Sequence, residues 1–130
     1  MDDLLLDTSA SVALAVSDHP HHRTTIEALA GRRLGLAGHA AFETYSVLTR
    51  LPAPARRTPA TIAHLLAVTF PGTRHLGARA ARALLHELPS LGIAGGSVYD
   101  ALVGAAAREH DLTLVTRDTR ALETYRALGV

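Results

Sequence analysis

The stretch LTLVTRD (residues 112–118) decides the fold, because an apolar, β-branched run that ends in charged residues is typical of a buried strand. A similar stretch, LLLDTS, covers residues 4–9, and LGLA at residues 34–37 is another strand candidate. Amphipathic helical patterns separate these runs. Short buried strands that alternate with helices predict an α/β fold with a parallel sheet covered on both faces.

The remaining periodicity predicts one further strand and a series of helices. The further strand candidate is LGIA at residues 91–94, followed by a turn at Gly95-Gly96. Helices are predicted near residues 8–16, 21–30, 40–51, 62–70, 77–88, 97–110 and 118–128. The Pro-rich stretch 52–59 is interpreted as a loop inside one domain, so that residues 1–130 form a single unit.

Composition excludes several classes of function. The chain of 130 residues has no cysteine, which excludes disulfide scaffolds, thiolate zinc sites, iron–sulfur clusters and cysteine nucleophiles. The net charge of +1, with arginine as the only strongly basic residue type, gives by itself no indication of a nucleic-acid partner. No apolar run is long enough for a membrane span, and acids at the N-terminus argue against a signal peptide. We therefore expect a soluble, cytoplasmic protein without a membrane partner.

Acidic residues follow the predicted strands and predict a metal site. Asp7 and Asp118 end two strands, Asp100 lies one turn into the helix after the LGIA candidate, and Glu43 lies in the first turn of the helix after the second strand. Parallel strands present their carboxyl ends at one edge of the sheet, where ligands bind. Carboxylates gathered there suit Mg²⁺ or Mn²⁺, which can activate water for hydrolysis of a phosphodiester.

Each of these acids also has a purely structural interpretation. Asp7 and Asp118 stand where helix caps are common, Glu43 suits a helix dipole, and Ser97 with Asp100 matches a capping box. The structural interpretation weakens for Asp100, because it lies beside the apolar stripe of its helix and buried acids are usually paired or metal-bound.

The motifs of the chain resemble those of PIN-domain ribonucleases of the VapC toxin type over essentially the full length. The resemblance rests on LLDTSA (5–10), AFETYSVL (41–48), SVYDALVGAAA (97–107), LTLVTRD (112–118) and the ending YRALGV (125–130). It implies a three-layer α/β/α sandwich with a central parallel sheet. It further implies a metal-dependent endoribonuclease that acts as the toxin of a toxin–antitoxin pair and hydrolyses RNA through a metal-activated water.

The same resemblance assigns roles to individual residues. It implies that Asp7, Glu43, Asp100 and Asp118 form the catalytic Mg²⁺ or Mn²⁺ site, with Asp7 and Asp100 nearest the ion. Ser9 and Thr116 match hydroxyl positions that support the acids through hydrogen bonds. Family members usually form homodimers and are inhibited by a small antitoxin that covers the site. The alternative is a catalytically silent PIN-like module that binds RNA or a protein.

Other constellations carry less functional signal. Arg56, Arg57 and Arg117 are candidate RNA contacts, although a solvated surface explains them equally well. The histidines have no HExxH spacing, so they indicate an RNA contact or plain surface rather than zinc. A phospho-acceptor domain would need a lysine, and a DxD phosphatase would need an acid at Ser9. Aromatic residues make up only 4% of the chain, which predicts no stacking platform for single strands.

Overall fold

A central parallel sheet organises the chain, which a computed structural model describes over residues 3–130. Its strands are β1 (Leu4–Leu6), β2 (Leu34–Leu36) and β3 (Thr113–Val115), in the order β2-β1-β3. Leu5 in β1 pairs with Gly35 on one side and with Leu114 on the other. The strands predicted at residues 4–6, 34–37 and 112–116 are therefore confirmed within one or two residues.

Helices connect the strands and cover the sheet. None of those within residues 3–130 combines the length and apolar character needed to cross a membrane. Their bounds are α1 (Thr8–Ala15), α2 (His22–Leu29), α3 (His39–Thr49), α4 (Pro59–Thr69), α5 (Ala78–Glu87), α6 (Ser97–Glu109) and α7 (Leu122–Ala127), with a 3₁₀ turn at Leu88–Leu91.

The alternation of side chains along β1 builds two cores. Leu4 and Leu6 point to one face, where they pack with Leu29 of α2 and with Phe70. Leu5 points to the other face, against residues of α3, α6 and α7 such as Val103. Both faces of a parallel sheet must be covered, and here helices cover both. The predicted three-layer α/β/α architecture is confirmed.

The strand predicted at residues 91–94 is wrong. Leu91 ends the 3₁₀ turn, and Gly92 then takes a left-handed conformation at φ 68°, from which its N–H donates to the carbonyl of Pro89. Ile93 is buried in a third apolar cluster, formed mainly by α5 and α6. The apolar run thus serves helix packing rather than the sheet. Asp100 is carried to its position by α6, not by a preceding strand.

An extended segment closes the outer edge of β2. The N–H of Gly72 donates to the carbonyl of Leu34, and that of Arg74 donates to the carbonyl of Leu36. Gly35 faces this segment so closely that a Cβ there would lie 2.2 Å from the backbone of Gly72. The glycine in LGLA is therefore required by close backbone approach. The segment also fixes the start of α3, because the Gly38 N–H donates to the Arg74 carbonyl.

Candidate active site

Four carboxylates converge on one cavity at the carboxyl edge of the sheet. The cavity, of about 270 Å³, is lined by Asp7, Glu43, Asp100 and Asp118 together with Thr8, Ser9, Val103 and Tyr125. Asp7 follows β1, Asp118 follows β3, and Glu43 and Asp100 reach the cavity from α3 and α6. Carboxylates separated by up to 111 positions in the sequence thus meet at the edge where ligands of open α/β sheets bind.

Asp7 is held rigidly by three hydrogen bonds. It is only 3% exposed, and its Oδ1 accepts from Ser9 Oγ at 2.6 Å and from the Ala10 N–H at 3.0 Å. Its Oδ2 accepts from the Tyr125 hydroxyl at 2.8 Å. A carboxylate offers about four lone-pair positions, so one on Oδ2 is left to face the cavity. The carboxylate is therefore aimed before any ligand arrives.

Hydroxyl groups tie the ends of β1 and β3 together. Ser9 Oγ accepts from the Arg117 N–H at 2.8 Å and lies 3.4 Å from Thr116 Oγ1. Thr116 Oγ1 in turn accepts from the Asp118 N–H at 3.0 Å. Ser9 and Thr116 thus fix the spacing between the Asp7 and Asp118 backbones.

The negative charges in the cavity act on one another. Burial raises the pKa of Asp100 above its ordinary value, and the neighbouring charges of Asp118, Glu43 and Asp7 raise it further, while Arg120 opposes them. The four carboxylates give the cavity a negative electrostatic potential, since no arginine or lysine lines the cavity among the described residues. This negative potential favours binding of a cation.

Two partners border the acids at the rim. His39 Nε2 lies 3.3 Å from Glu43 Oε1, one helical turn away on α3. The backbone N–H of Arg120 donates to Asp118 Oδ1 at 3.0 Å. The Arg120 side chain is almost fully exposed, and its Nε lies 3.6 Å from the same oxygen. Glu43 and Asp118 thus each have a partner outside the acidic cavity.

The sequence matches a known protein family. The family model described as PIN domain matches residues 4–127. The chain belongs to the PIN-domain family. It is 45% identical to Ribonuclease VapC27 of Mycobacterium tuberculosis over 98% of this chain and 93% of that protein.

Solved structures share the PIN fold at low identity. VapC20 of Mycobacterium tuberculosis, described as a sarcin-ricin loop cleaving toxin, has a TM-score of 0.71 at 20% identity and covers 92% of each chain. VapBC2 of Rickettsia felis, solved with a DNA fragment from its promoter, has a TM-score of 0.65 at 16% identity, with 94% of this chain and 92% of that one covered. The architecture is therefore that of VapC-type PIN domains.

The capping roles of the acids differ in this PIN domain. Asp7 does cap α1, because its side chain accepts from the Ala10 N–H. The capping box predicted at Ser97 is wrong: Ser97 already lies inside α6, whose cap Gly96 makes no side-chain hydrogen bond. Asp118 does not open the last helix, which begins four residues later at Leu122, and Glu43 lies beyond the first turn of α3. Glu43 thus lies outside the turn where a helix dipole favours an acid, whereas Asp100 makes no cap but does lie in the first turn of α6.

The candidate RNA-binding arginines occupy two separate places. Arg117 lies between Thr116 and Asp118 at the edge of the acidic cavity, with its side chain exposed. Arg56 and Arg57 belong to the loop between α3 and α4. The Arg57 guanidinium donates to the carbonyl of Pro54 at 2.8 Å and lines a different cleft, beside Asp18 and Leu65. Only Arg117 of the three stands next to the four acids.

The contacts of three site residues could not be predicted from the sequence, although one of them, Tyr125, begins the YRALGV motif. Tyr125 contacts Asp7 across 118 residues, and His39 and Arg120 contact Glu43 and Asp118. Burial and the nearby charge of Asp7 raise the pKa of Tyr125 far above its ordinary value, so its hydroxyl remains a proton donor. Helical spacing places Tyr125 on the buried stripe of α7, but it does not indicate what its hydroxyl meets.

We expect Tyr125→Phe to destabilise the protein by about 1–3 kcal/mol, because Oδ2 of the buried Asp7 loses its donor. Urea unfolding measures this free energy, and Tyr45→Phe, on the exposed side of α3, is the matched control. Equal unfolding free energies for the two variants would contradict the role assigned to the Tyr125 hydroxyl.

The residues present fit a hydrated divalent cation. All polar side-chain atoms of the residues that line the cavity are oxygens. Thr8 Oγ1 is buried there without a hydrogen-bond partner among residues 3–130. Within that same range, no three acidic or histidine side chains are grouped tightly enough to hold an ion by themselves. The oxygen lining is of the kind that Mg²⁺ accepts, since Mg²⁺ prefers oxygen ligands, keeps several waters and takes only one or two carboxylates directly.

Proposed function

We propose that the chain is the endoribonuclease toxin of a toxin–antitoxin pair and hydrolyses RNA with Asp7, Glu43, Asp100 and Asp118 as its catalytic carboxylates. The observation that carries this proposal is the convergence of these four side chains on one cavity, with Asp7 fixed by three hydrogen bonds. Its similarity to a ribonuclease at 45% identity supports the same activity. The proposal treats residues 1–130 as one PIN domain.

The proposal includes a dependence on Mg²⁺ or Mn²⁺. When bound, such an ion would activate a water and offset the charge of the phosphodiester during an in-line displacement. Asp7 and Asp100 would hold it directly, and Glu43 and Asp118 directly or through water. Ser9 and Tyr125 keep Asp7 oriented, which limits the reorganisation needed when substrate binds.

The proposed partners follow from the charge and openness of the site. RNA is the substrate, and Arg117 at the rim is positioned to meet its backbone phosphate. A cognate antitoxin is proposed to cover the acidic cavity, and a homodimer is proposed as the working unit. An antitoxin segment that enters this cavity should carry a basic side chain, because the cavity lining offers four carboxylates and no cation.

The function is tested by exposing total RNA to the purified protein with Mg²⁺ and with EDTA, and mapping the new ends. We expect defined cleavage sites that require the metal and disappear with Asp7→Asn. Asp7→Asn keeps an oxygen for the Ser9 and Ala10 donors, so circular dichroism should show a folded protein. A folded wild-type protein that binds RNA without cutting it would instead support the silent-module alternative.

We expect Mg²⁺ to stabilise the wild-type protein against heat and not the Asp7→Asn variant. An ion that binds only the folded state contributes about 2.7 kcal/mol at 100 times its Kd, which raises Tm by several degrees. Thermal melts in MgCl₂, compared with NaCl at matched ionic strength, measure the shift. Glu27→Gln, which removes an exposed acid of α2, should keep the full shift. An equal shift for Asp7→Asn would place the ion elsewhere.

A further inference from the structure

Four ring side chains gather on one surface beside the acidic cavity. His39 and Tyr99 stack with their ring centroids 5.2 Å apart and an angle of 26° between their planes. Phe42 and His75 lie 6.0 Å apart at 49°. We call His39, Phe42, His75 and Tyr99 the ring cluster. The sequence predicted no stacking platform, but folding concentrates the few rings that the chain has.

The ring cluster is exposed rather than part of the core. Phe42 is 67% exposed and Tyr99 is 55% exposed, although burial of aromatic side chains is strongly favourable. They come from different helices, α3 and α6, and His75 comes from the extended segment beside β2. Single exposed apolar residues need no explanation, whereas a contiguous group of rings marks a binding surface.

The ring cluster is continuous with the catalytic carboxylates. Phe42 immediately precedes Glu43 on α3, and Tyr99 immediately precedes Asp100 on α6. His39 joins the two regions, because it stacks on Tyr99 and its Nε2 lies 3.3 Å from Glu43 Oε1. A polymer whose phosphate occupies the acidic cavity can therefore place a neighbouring unit on these rings by way of His39.

A small pocket lies within the ring cluster. It measures about 220 Å³ and is lined by Gly38, His39, Phe42, His75, Leu76 and Leu102. Its rings and leucines present mainly apolar atoms. Pockets for whole small molecules measure about 300–1,000 Å³, so this smaller one suits a single planar ring. Unpaired nucleobases are such rings, and they stack on aromatic and histidine side chains in sequence-specific and nonspecific RNA complexes.

We propose that the ring cluster is a base-stacking subsite for unpaired RNA nucleotides that flank the scissile phosphodiester. This proposal rests on the proposed ribonuclease function. Continuity with Glu43 and Asp100 favours RNA over a second copy of the chain as the occupant, because a copy seated on the rings would crowd the opening of the acidic cavity. The subsite selects single-stranded over double-stranded RNA, since only unpaired bases expose both faces.

Binding of short oligoribonucleotides tests the proposal without knowledge of the cleavage sequence. The protein carries Asp7→Asn so that RNA is not cut in Mg²⁺ buffer, and fluorescence anisotropy measures Kd. The probes are an octamer of adenosines, an octamer of uridines and an abasic ribose-phosphate octamer of the same charge. We expect the adenosine octamer to bind most tightly and the abasic octamer about tenfold or more weakly, as stacking of one or more bases would give.

Substitutions in the ring cluster should remove this base dependence selectively. Phe42→Leu keeps an apolar side chain without a ring. The double variant Phe42→Leu/Tyr99→Ala should bind the adenosine octamer about tenfold more weakly than the parent and the abasic octamer equally well. Tyr99→Phe keeps the ring and should bind as the parent does. Leu85→Ala removes a comparably exposed side chain of α5, outside the ring cluster, and should have no effect.

Three results would overturn the proposal. Equal Kd values for adenosine and abasic octamers would exclude stacking in the parent protein. Equal weakening of both octamers by Phe42→Leu would indicate a general structural effect. Conversion of a dimer to a monomer by Phe42→Leu, with base preference retained, would assign the ring cluster to an interface between copies.

The proposed function is measured separately, by RNA cleavage in Mg²⁺ with the wild-type protein. Cleavage by the wild type without base preference in binding would overturn only the subsite. Lack of cleavage by the wild type would contradict the ribonuclease function, and with it the placement of the ring cluster beside a scissile bond.

Discussion

Asp100→Asn is expected to lower the rate of RNA cleavage about 10³-fold while making the metal-free protein more stable. The loss of rate follows from removing a carboxylate that holds the ion, since metal-ion catalysis contributes several kcal/mol and each 1.36 kcal/mol is a factor of ten. Single-turnover cleavage with excess protein measures the rate, and thermal melts in EDTA measure the stability.

The gain in stability follows from the direction of the Asp100 pKa. Burial and the charges of Asp118, Glu43 and Asp7 raise that pKa, so the folded state holds this proton more tightly than the unfolded state does. Ionised Asp100 therefore lowers the free energy of unfolding at neutral pH. Asparagine is uncharged like the protonated acid, so it does not have this destabilising effect. The melting temperature should rise at pH 7 and the gain should shrink as the pH falls through the raised pKa.

Asp111→Asn is the matched control, because Asp111 is an exposed acid at the turn before β3 and does not line the acidic cavity. Its cleavage rate should match that of the wild type. An Asp100→Asn protein that cleaves RNA at the wild-type rate would remove Asp100 from the mechanism. One that loses both activity and its folded structure would show that Asp100 has a structural role instead.

Gly35→Ala is expected to prevent stable folding. A Cβ at Gly35 would lie 2.2 Å from both the carbonyl carbon and oxygen of Gly72 and 2.6 Å from the Thr73 nitrogen. These are backbone atoms held by hydrogen bonds to β2, so they cannot rotate away as a flexible side chain could. Overpacking by a methylene costs about 1–3 kcal/mol when side chains can adjust. A backbone clash should cost more, against a total stability of about 5–15 kcal/mol.

Gly96→Ala is the paired control for this change. Gly96 has φ −61°, which alanine adopts readily, and a Cβ there meets nothing within 4 Å among the described atoms. Its urea midpoint should stay unchanged or rise slightly, because alanine reduces the entropy of the unfolded chain. A soluble Gly35→Ala protein with the midpoint of Gly96→Ala would contradict the close approach of residues 72–74 to β2.

The three strands could be predicted from the sequence because each is a short apolar run. The apolar runs of β1, β2 and β3 are bounded by charged or glycine residues, and each lies within one or two residues of its predicted position. The run LGIA at residues 91–94 differs from LGLA at residues 34–37 only in having Ile for Leu, yet it forms no strand. Short apolar runs satisfy helix packing equally well, and the Ile93 side chain is buried against α5 and α6 instead.

The carboxylates of the site could be found by position, whereas their supports could not. Strand ends in a parallel sheet share an edge, which is enough to bring Asp7 and Asp118 together. Asp100 meets them although the strand expected before its helix does not form. Tyr125 and His39 depend on how α7 and α3 pack, and no local spacing encodes a contact such as that between Tyr125 and Asp7.

The net charge of +1 is distributed unevenly over the folded molecule. Four acids share one cavity, so the remaining surface carries a basic excess that the total conceals. Arg117 and Arg120 stand at the rim of that cavity, next to the carboxylates rather than far from them. A near-neutral total is therefore compatible with an RNA substrate, because the distribution of charge determines where a phosphate backbone can bind.

We propose that carboxylates at the sheet edge direct water, and not the neighbouring ribose hydroxyl, against the RNA phosphodiester. The most direct test is mass spectrometry of the RNA ends produced by the wild-type protein in H₂¹⁸O with Mg²⁺. We predict one ¹⁸O atom in each new terminal phosphate, no 2′,3′-cyclic phosphate, and no products with EDTA. Cyclic phosphate ends without ¹⁸O, or cleavage that continues in EDTA, would contradict this account.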